Sequence, residues 1–320
     1  MFEFINYLKV LATALITNSH FGNIWPVSAL ATGGLLGNVI FFAVSGFLLY
    51  NIKISFPKWF SKRFFRVYPS LVIFTLFAVC IGEYSLKSFE DAFRLFVYPT
   101  NYVFLVWLIV CYCVFYPVAL LDKKKKNFLE ITMSLIFVFW VVVYVILYDK
   151  SVYGVDNVSE PFILFLYIES MLTGALFKKH KSGFGKFKLS KVFVTVLCFV
   201  IYAVSKIAFS KVSLLLPLQI FNQFVILVTL FFAFDLFMSM EPFFQRVPRK
   251  LDSVIKHISD ITLQIYVVQF VLIRYCSELI FPLNLVSVVL AIVLAATLLH
   301  KIEEYAGKAV GFICKKMKKV

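Results

Sequence analysis

Long apolar runs separated by short polar stretches fill almost the whole chain. They fall near 4–22, 33–52, 67–84, 101–121, 129–148, 161–178, 189–209, 214–240, 258–281 and 284–303. Each approaches the about 20 residues that carry a helix across a hydrocarbon core of about 30 Å. None alternates with period two, which excludes membrane-spanning strands. The pattern predicts an all-α, polytopic membrane protein with about ten transmembrane helices. Polar residues dilute the first and ninth runs. In the first, Asn6, Lys9, Thr13, Thr17 and His20 recur at helical spacing and share one narrow sector. Lys9 and His20 stand roughly 16 Å apart along that face at 1.5 Å rise per residue. A cation and an imidazole aligned on a spanning helix are costly unless they line a hydrated cavity walled by protein. The first helix therefore reads as the wall of a reaction or transport channel.

Composition agrees with this class and charge adds an orientation. Of 320 residues, 62% are hydrophobic and 15% charged, and the mean hydropathy is +0.91; soluble domains are not built this way. Basic residues crowd the segments after the second, fourth, sixth and eighth runs: Lys53 to Arg66, Lys123 to Lys126, Lys178 to Lys191, and Arg246 to Lys256. The tail adds Lys308, Lys315, Lys316, Lys318 and Lys319. The intervening loops mix a few cations with Glu90, Asp91, Asp156 and Glu278. Positive-inside bias then places both termini in the cytoplasm, and it accounts for the net charge of +15 without a nucleic-acid partner. The first segment lacks a basic leader and a small-residue cleavage site, so it is expected to persist as a span. A single membrane domain over 1–320, with no fused soluble domain, is expected. The six cysteines are scattered, and Cys111 and Cys113 face different ways on a helix. No disulfide framework, metal site or permanently bound cofactor is expected.

The stretch from Gly37 to Pro69 carries the sharpest local pattern: Phe41-Phe42, then Ser45-Gly46-Phe47, and beyond the span Arg63, Arg66, Tyr68 and Pro69. With Lys9-x10-His20, Trp107 followed by Phe115-Tyr116, and a last span closing on Ile302-Glu303, the order of motifs resembles the membrane acyltransferase-3 family. The resemblance covers essentially the whole chain. It implies transfer of an acyl group, usually acetyl, from a cytoplasmic acyl-CoA to a hydroxyl of a carbohydrate outside the membrane. The acceptor would be a surface polysaccharide, an O-antigen or a lipid-linked precursor, and the location a bacterial cytoplasmic (inner) membrane. Three positions depart from the pattern. Tyr112 stands where many relatives carry Glu, Gln269 where many carry His, and Lys9 where Arg is most frequent. The first two suggest a subgroup with a different acceptor pocket.

The chemistry sets its own demands. A phosphate-rich donor calls for fixed cations at the cytoplasmic mouth, and guanidiniums grip phosphate bidentately. Arg63 and Arg66, one helical turn apart, are assigned to the donor by the resemblance; by topology alone they are explained as well. A hydroxyl nucleophile calls for a base near neutrality. His20 suits that role, as base or as transient acyl carrier. Lys9 is read as catalytic or donor-binding, holding phosphate or orienting the thioester, with snorkelling to the interface as the plain alternative. Asn6, Thr13, Thr17, Ser45, Glu169, Tyr266 and Gln269 are read as lining the substrate cavity. For Glu169 the alternatives are protonation or pairing with Lys9, because an unpaired carboxylate inside a span is expensive. Gln219, Asn222 and Gln223 suit sugar contacts at the outer end of the eighth run, or an ordinary helix interface. The competing class is a transporter or flippase of a lipid-linked sugar or small metabolite, though inverted repeats and matched helix breaks are absent from the sequence. A polymerase or ligase would call for a large outer loop, and the loops here are short.

Overall fold

The computed structural model describes residues 2–181 and 185–317, so Lys318 and Lys319 lie outside it. Among the described residues every regular element is a helix. In order they are α1 (Glu3–Ser19), α2 (Gly34–Leu49), α3 (Phe56–Cys80), α4 (Phe89–Ala92), α5 (Val103–Asp122), α6 (Phe128–Leu147) and α7 (Ile163–Lys179). They are followed by α8 (Leu189–Lys211), α9 (Ile220–Ser239), α10 (Glu241–Phe244), α11 (Arg249–Asp260), α12 (Thr262–Cys276) and α13 (Leu283–Met317). Each of the ten apolar runs becomes helical. Seven helical stretches among the described residues are long and apolar enough to cross a membrane, and a bent pair would make eight. That falls short of the expected ten for two reasons. Helices α1 and α7 have 17 residues each, under the about 20 of a full crossing. The ninth run, expected as one span, is broken at Ile261, where α11 and α12 meet at 71°.

Helices differ sharply in what surrounds them. The spanning windows of α6 and α8 are only 17% and 11% buried, and Leu135, Phe139, Phe193 and Val196 project outward. Such faces suit lipid, where exposed apolar area carries no penalty. By contrast α2 is 72% buried over its spanning window and packs along α7. The two backbones touch through small residues. A methyl on Gly46 would sit 1.8 Å from the Met171 carbonyl oxygen, and one on Gly174 would sit 1.8 Å from that of Ala43. The Ser45-Gly46 motif thus has a packing reason, as small residues let helices in lipid approach closely.

The short α10 fixes the start of α1. The Glu241 carboxylate accepts hydrogen bonds from the backbone N–H groups of Glu3 (3.1 Å) and Phe4 (2.7 Å). These belong to the first turn, whose N–H groups have no partner inside the helix, and a carboxylate there also complements the helix dipole. So anchored, α1 runs through the centre of the bundle, packed against α2, α9, α11 and α12.

Candidate active site

Two cavities open beside α1, one near its middle and one at its C-terminal end. The first has a volume of about 370 Å³ and is lined by Lys9, Ser45, Arg63, Arg66, Tyr112 and Tyr266, with Asp260, Gln264, His300 and Glu303 completing its polar wall. It brings together the C-terminal half of α2, the first turns of α3, the α11–α12 break and the middle of α13. Neither arginine has an ion-pair partner among the described residues, and Arg63 Nε is buried with no hydrogen-bond acceptor. Gln264 Oε1, His300 Nδ1 and Glu303 Oε1 are likewise buried and unpartnered, while Gln264 Nε2 donates to Glu303 Oε2 at 2.9 Å. Native interiors leave few polar atoms unsatisfied. Four of them around one cavity mark it as a place built for a polar ligand.

The second cavity, about 410 Å³, surrounds His20 and is lined by Ser19, Asn38, Asn101, Asp156, Ser159 and Lys206 among others. Its one lysine is already neutralised: Lys206 Nζ lies 2.5 Å from Asp156 Oδ2. The wall is rich in hydroxyls and amides and carries no net charge from its lysine and aspartate. The His20 ring makes no protein hydrogen bond among the described residues and packs edge-on against Phe270, centroids 4.6 Å apart. Ile16, Phe104 and Tyr266 line both cavities and so form the partition between them.

The polar stripe of α1 faces the α11–α12 break. Lys9 Nζ donates to the Ser259 carbonyl oxygen (2.7 Å) and to its hydroxyl (3.0 Å). Asn6 accepts from the Ser259 hydroxyl at 2.9 Å and donates to Glu3 at 3.2 Å. Thr13 donates to the Lys9 carbonyl (2.8 Å) and Thr17 to Gln269 Oε1 (2.8 Å). Asn6 therefore lines none of the cavities named here: Glu3 and Ser259 take up its side chain. Thr13, Thr17, Tyr266 and Gln269 meet around a third void of only about 10 Å³.

Glu169 also departs from its expected place. It is buried, lines none of these cavities, and forms no ion pair with Lys9 or any other described cation. Helix α7 packs against α2, α5, α6 and α9, away from the seam between α1 and α12. One carboxylate oxygen, Oε1, is buried without a hydrogen-bond partner among the described residues.

Gln219, Asn222 and Gln223 are fully buried and do not line the His20 cavity. They hold the 148–162 loop that shapes it. Gln219 accepts from the N–H groups of Gly154 (2.9 Å) and Val155 (3.1 Å) and donates to the Val152 carbonyl (3.0 Å). Gln223 donates to the Val155 carbonyl, Tyr153 donates to Asn222 at 3.3 Å, and Trp107 Nε1 donates to the Val158 carbonyl at 2.7 Å. This loop presents Asp156, expected from the sequence only as an outer-loop residue, and Ser159, which no sequence pattern singled out. The available signal was a pair of opposite charges, Asp156 in a short outer loop and Lys206 near the end of the seventh apolar run. The additions to the arginine cavity, Asp260, Gln264, His300 and Glu303, come from the last three helices, α11, α12 and α13, where scattered polar residues were the trace. Among the described residues no cluster of His, Cys, Asp or Glu is arranged to hold a metal ion.

Comparison with known proteins places this geometry. Residues 2–299 match a family described as an acyltransferase domain. No curated protein matches the chain. No solved structure matches it either. A match over nearly the whole length, on a bundle of membrane-spanning helices, has one meaning: the chain belongs to the membrane acyltransferase-3 family.

Proposed function

We propose that this membrane acyltransferase moves an acyl group, most simply acetyl, from acyl-CoA in the cavity of Arg63 and Arg66 to a carbohydrate hydroxyl in the cavity of His20. The observation that carries the reading is the pair of cavities along one helix. One holds Arg63, whose buried Nε has no acceptor, beside Arg66 and Lys9, the other hydroxyls and amides around an imidazole, and Ile16, Phe104 and Tyr266 line both. With the termini cytoplasmic, as the basic loops imply, the donor side faces the cytoplasm and the acceptor side faces outward. Membership of the acyltransferase-3 family is what supports an acceptor among surface polysaccharides, O-antigen or lipid-linked precursors, and a bacterial inner membrane as the location.

The residues divide the work accordingly. Arg63 and Arg66 suit the phosphates of the donor, at a mouth where the guanidinium fork engages two oxygens at once. Lys9 is largely committed to Ser259, so its contribution is to fix the wall of the donor cavity and leave one N–H for ligand. His20, exposed to the outer cavity and free of protein partners, takes the proton of the attacking hydroxyl. The hydroxyl oxygen bonds to the acyl carbon, the carbon–sulfur bond breaks, and the departing thiolate recovers a proton from the imidazolium.

Purified protein in proteoliposomes, given acetyl-CoA and a lipid extract of cells lacking the gene, should release free thiol and acetylate a glycan in the extract. Mass spectrometry of the surface glycan with and without the gene should show the matching loss of acyl groups. Absence of thiol release together with movement of a labelled lipid-linked sugar would favour the flippase reading.

A further inference from the structure

Gln269 is fully buried, and its two amide ends differ. Oε1 accepts the Thr17 hydroxyl at 2.8 Å, whereas Nε2 has no partner. The side chain lines the void of about 10 Å³ along with Thr13, Thr17 and Tyr266, a space of about one oxygen-sized sphere. Ile16 and Tyr266 line this void and both larger cavities, so it lies between the cationic side and the His20 side. Two further contacts set its distance from the base. Thr17 precedes His20 by three residues, about 5 Å along the helix axis, and Phe270, next to Gln269 on α12, carries the ring that packs on His20.

Resting on the acyltransferase reading, we propose that Gln269 Nε2 donates a hydrogen bond to the acyl carbonyl oxygen as the acceptor hydroxyl attacks. In that step the hydroxyl oxygen bonds to the carbonyl carbon, its proton passes to His20, and the carbonyl π pair collects on oxygen beside the amide. When the pair returns, the carbon–sulfur bond breaks and the thiolate leaves with the proton held by His20. An N–H fixed in a buried site, with its own acceptor end held by Thr17, is suited to charge that appears only in the transition state. The space admits an oxygen and little more, which fits a carbonyl better than a ring or a phosphate.

The test compares wild type with Gln269→Leu and Gln269→His in proteoliposomes, by thiol release from acetyl-CoA with the same lipid extract as acceptor. Gln269→Leu should lower kcat by about 10²–10³ and leave the KM for acetyl-CoA within about threefold, the signature of an interaction made only in the transition state. Gln269→His, which keeps an N–H donor, should recover at least about tenfold of that loss. Thermal melting with and without acetyl-CoA accompanies each variant. A Leu variant with kcat within about threefold of wild type overturns the inference. So does a parallel fall of kcat, acetyl-CoA affinity and melting temperature in both variants, which would make Gln269 a packing residue only. Wild-type protein that releases no thiol would overturn the acyltransferase reading itself, so the two failures are separable.

Discussion

Lys9 and Ser259, from opposite ends of the chain, are joined twice: the Lys9 ammonium donates to the Ser259 carbonyl at 2.7 Å and to its hydroxyl at 3.0 Å. Ser259 is the penultimate residue of α11, where carbonyls have lost their intrahelical partners and the helix dipole is negative. A cation on the first helix thus stabilises the break between α11 and α12. That break turns α12 so that Thr262, Tyr266 and Gln269 meet Thr13 and Thr17. The costly intramembrane lysine has a structural reason as well as a place on the wall of the arginine cavity.

Removing the ammonium should therefore loosen the bundle. Lys9→Met leaves the Ser259 carbonyl with only the long hydrogen bond from the Thr262 hydroxyl (3.4 Å) and should cost about 1.5–3 kcal/mol, the range for hydrogen bonds to charged groups. Ser259→Ala removes only the hydroxyl contacts and should cost less. Thermal melting in detergent checks the order; equal melting temperatures for all three proteins would show that the contact carries no stability.

For the donor side, Arg63→Ala and Arg66→Ala should each weaken acetyl-CoA binding by about 1.5–3 kcal/mol with melting temperature nearly unchanged. Lysine at either position should restore part of the affinity, because an ammonium lacks the planar fork. Calorimetry with acetyl-CoA measures this. Unchanged affinity in both alanine variants would leave these arginines as topology residues.

At His20, alanine should abolish acceptor acylation while acetyl-CoA still binds, since the phosphates are held at the other cavity. The loss should reach about 10²–10⁴-fold, the usual contribution of general-base catalysis. His20→Gln keeps a polar side chain of similar reach but cannot take a proton near neutrality. Near-normal turnover by the Gln variant, read by acetyl transfer to the glycan, would remove His20 from the proton path.

The Asp156–Lys206 pair is partly exposed, at 16% and 40% of side-chain area, so it should add at most about 1 kcal/mol to stability. Its place on the wall of the His20 cavity, the acceptor site proposed above, gives it another consequence. Asp156→Asn and Lys206→Met should each raise the acceptor KM by about tenfold, the loss of one charge-assisted hydrogen bond, without altering the acetyl-CoA KM. Initial rates at varied acceptor concentration decide it, and an acceptor KM equal to wild type would place the pair outside recognition.

Orientation can be read by labelling single cysteines in a background free of the native ones. Ser151 and Lys124 are both exposed, whereas Ser182, on the same side as Lys124 by charge, lies outside the described residues. An impermeant reagent should label Ser151→Cys in intact cells and spare Lys124→Cys. The reverse pattern would put the arginine cavity outside and undo its assignment to a cytoplasmic donor.

Hydropathy alone determined the class, because a segment in lipid must satisfy its own backbone and every apolar run became a helix. Helical periodicity likewise made the α1 stripe legible, since a shared face follows from 3.6 residues per turn whatever lies opposite. What lies opposite was a matter of tertiary structure. The break at Ile261 carries no proline or glycine to announce it, and it depends on a lysine about 250 residues away. For the same reason Glu169 looked like a cavity residue when only its own helix was in view, yet α7 turned out to pack away from the α1–α12 seam. Gln219, Asn222 and Gln223 had the right chemistry for a sugar, but Gln219 and Gln223 were claimed by the backbone of the 148–162 loop and Asn222 by Tyr202 and Ser205 of α8, groups that need partners once buried. Asp156, Lys206, Gln264 and Glu303 reach their cavities only through long-range packing. A local pattern can name the polar residues that a bundle must accommodate; which of them face one another is decided by how the helices cross.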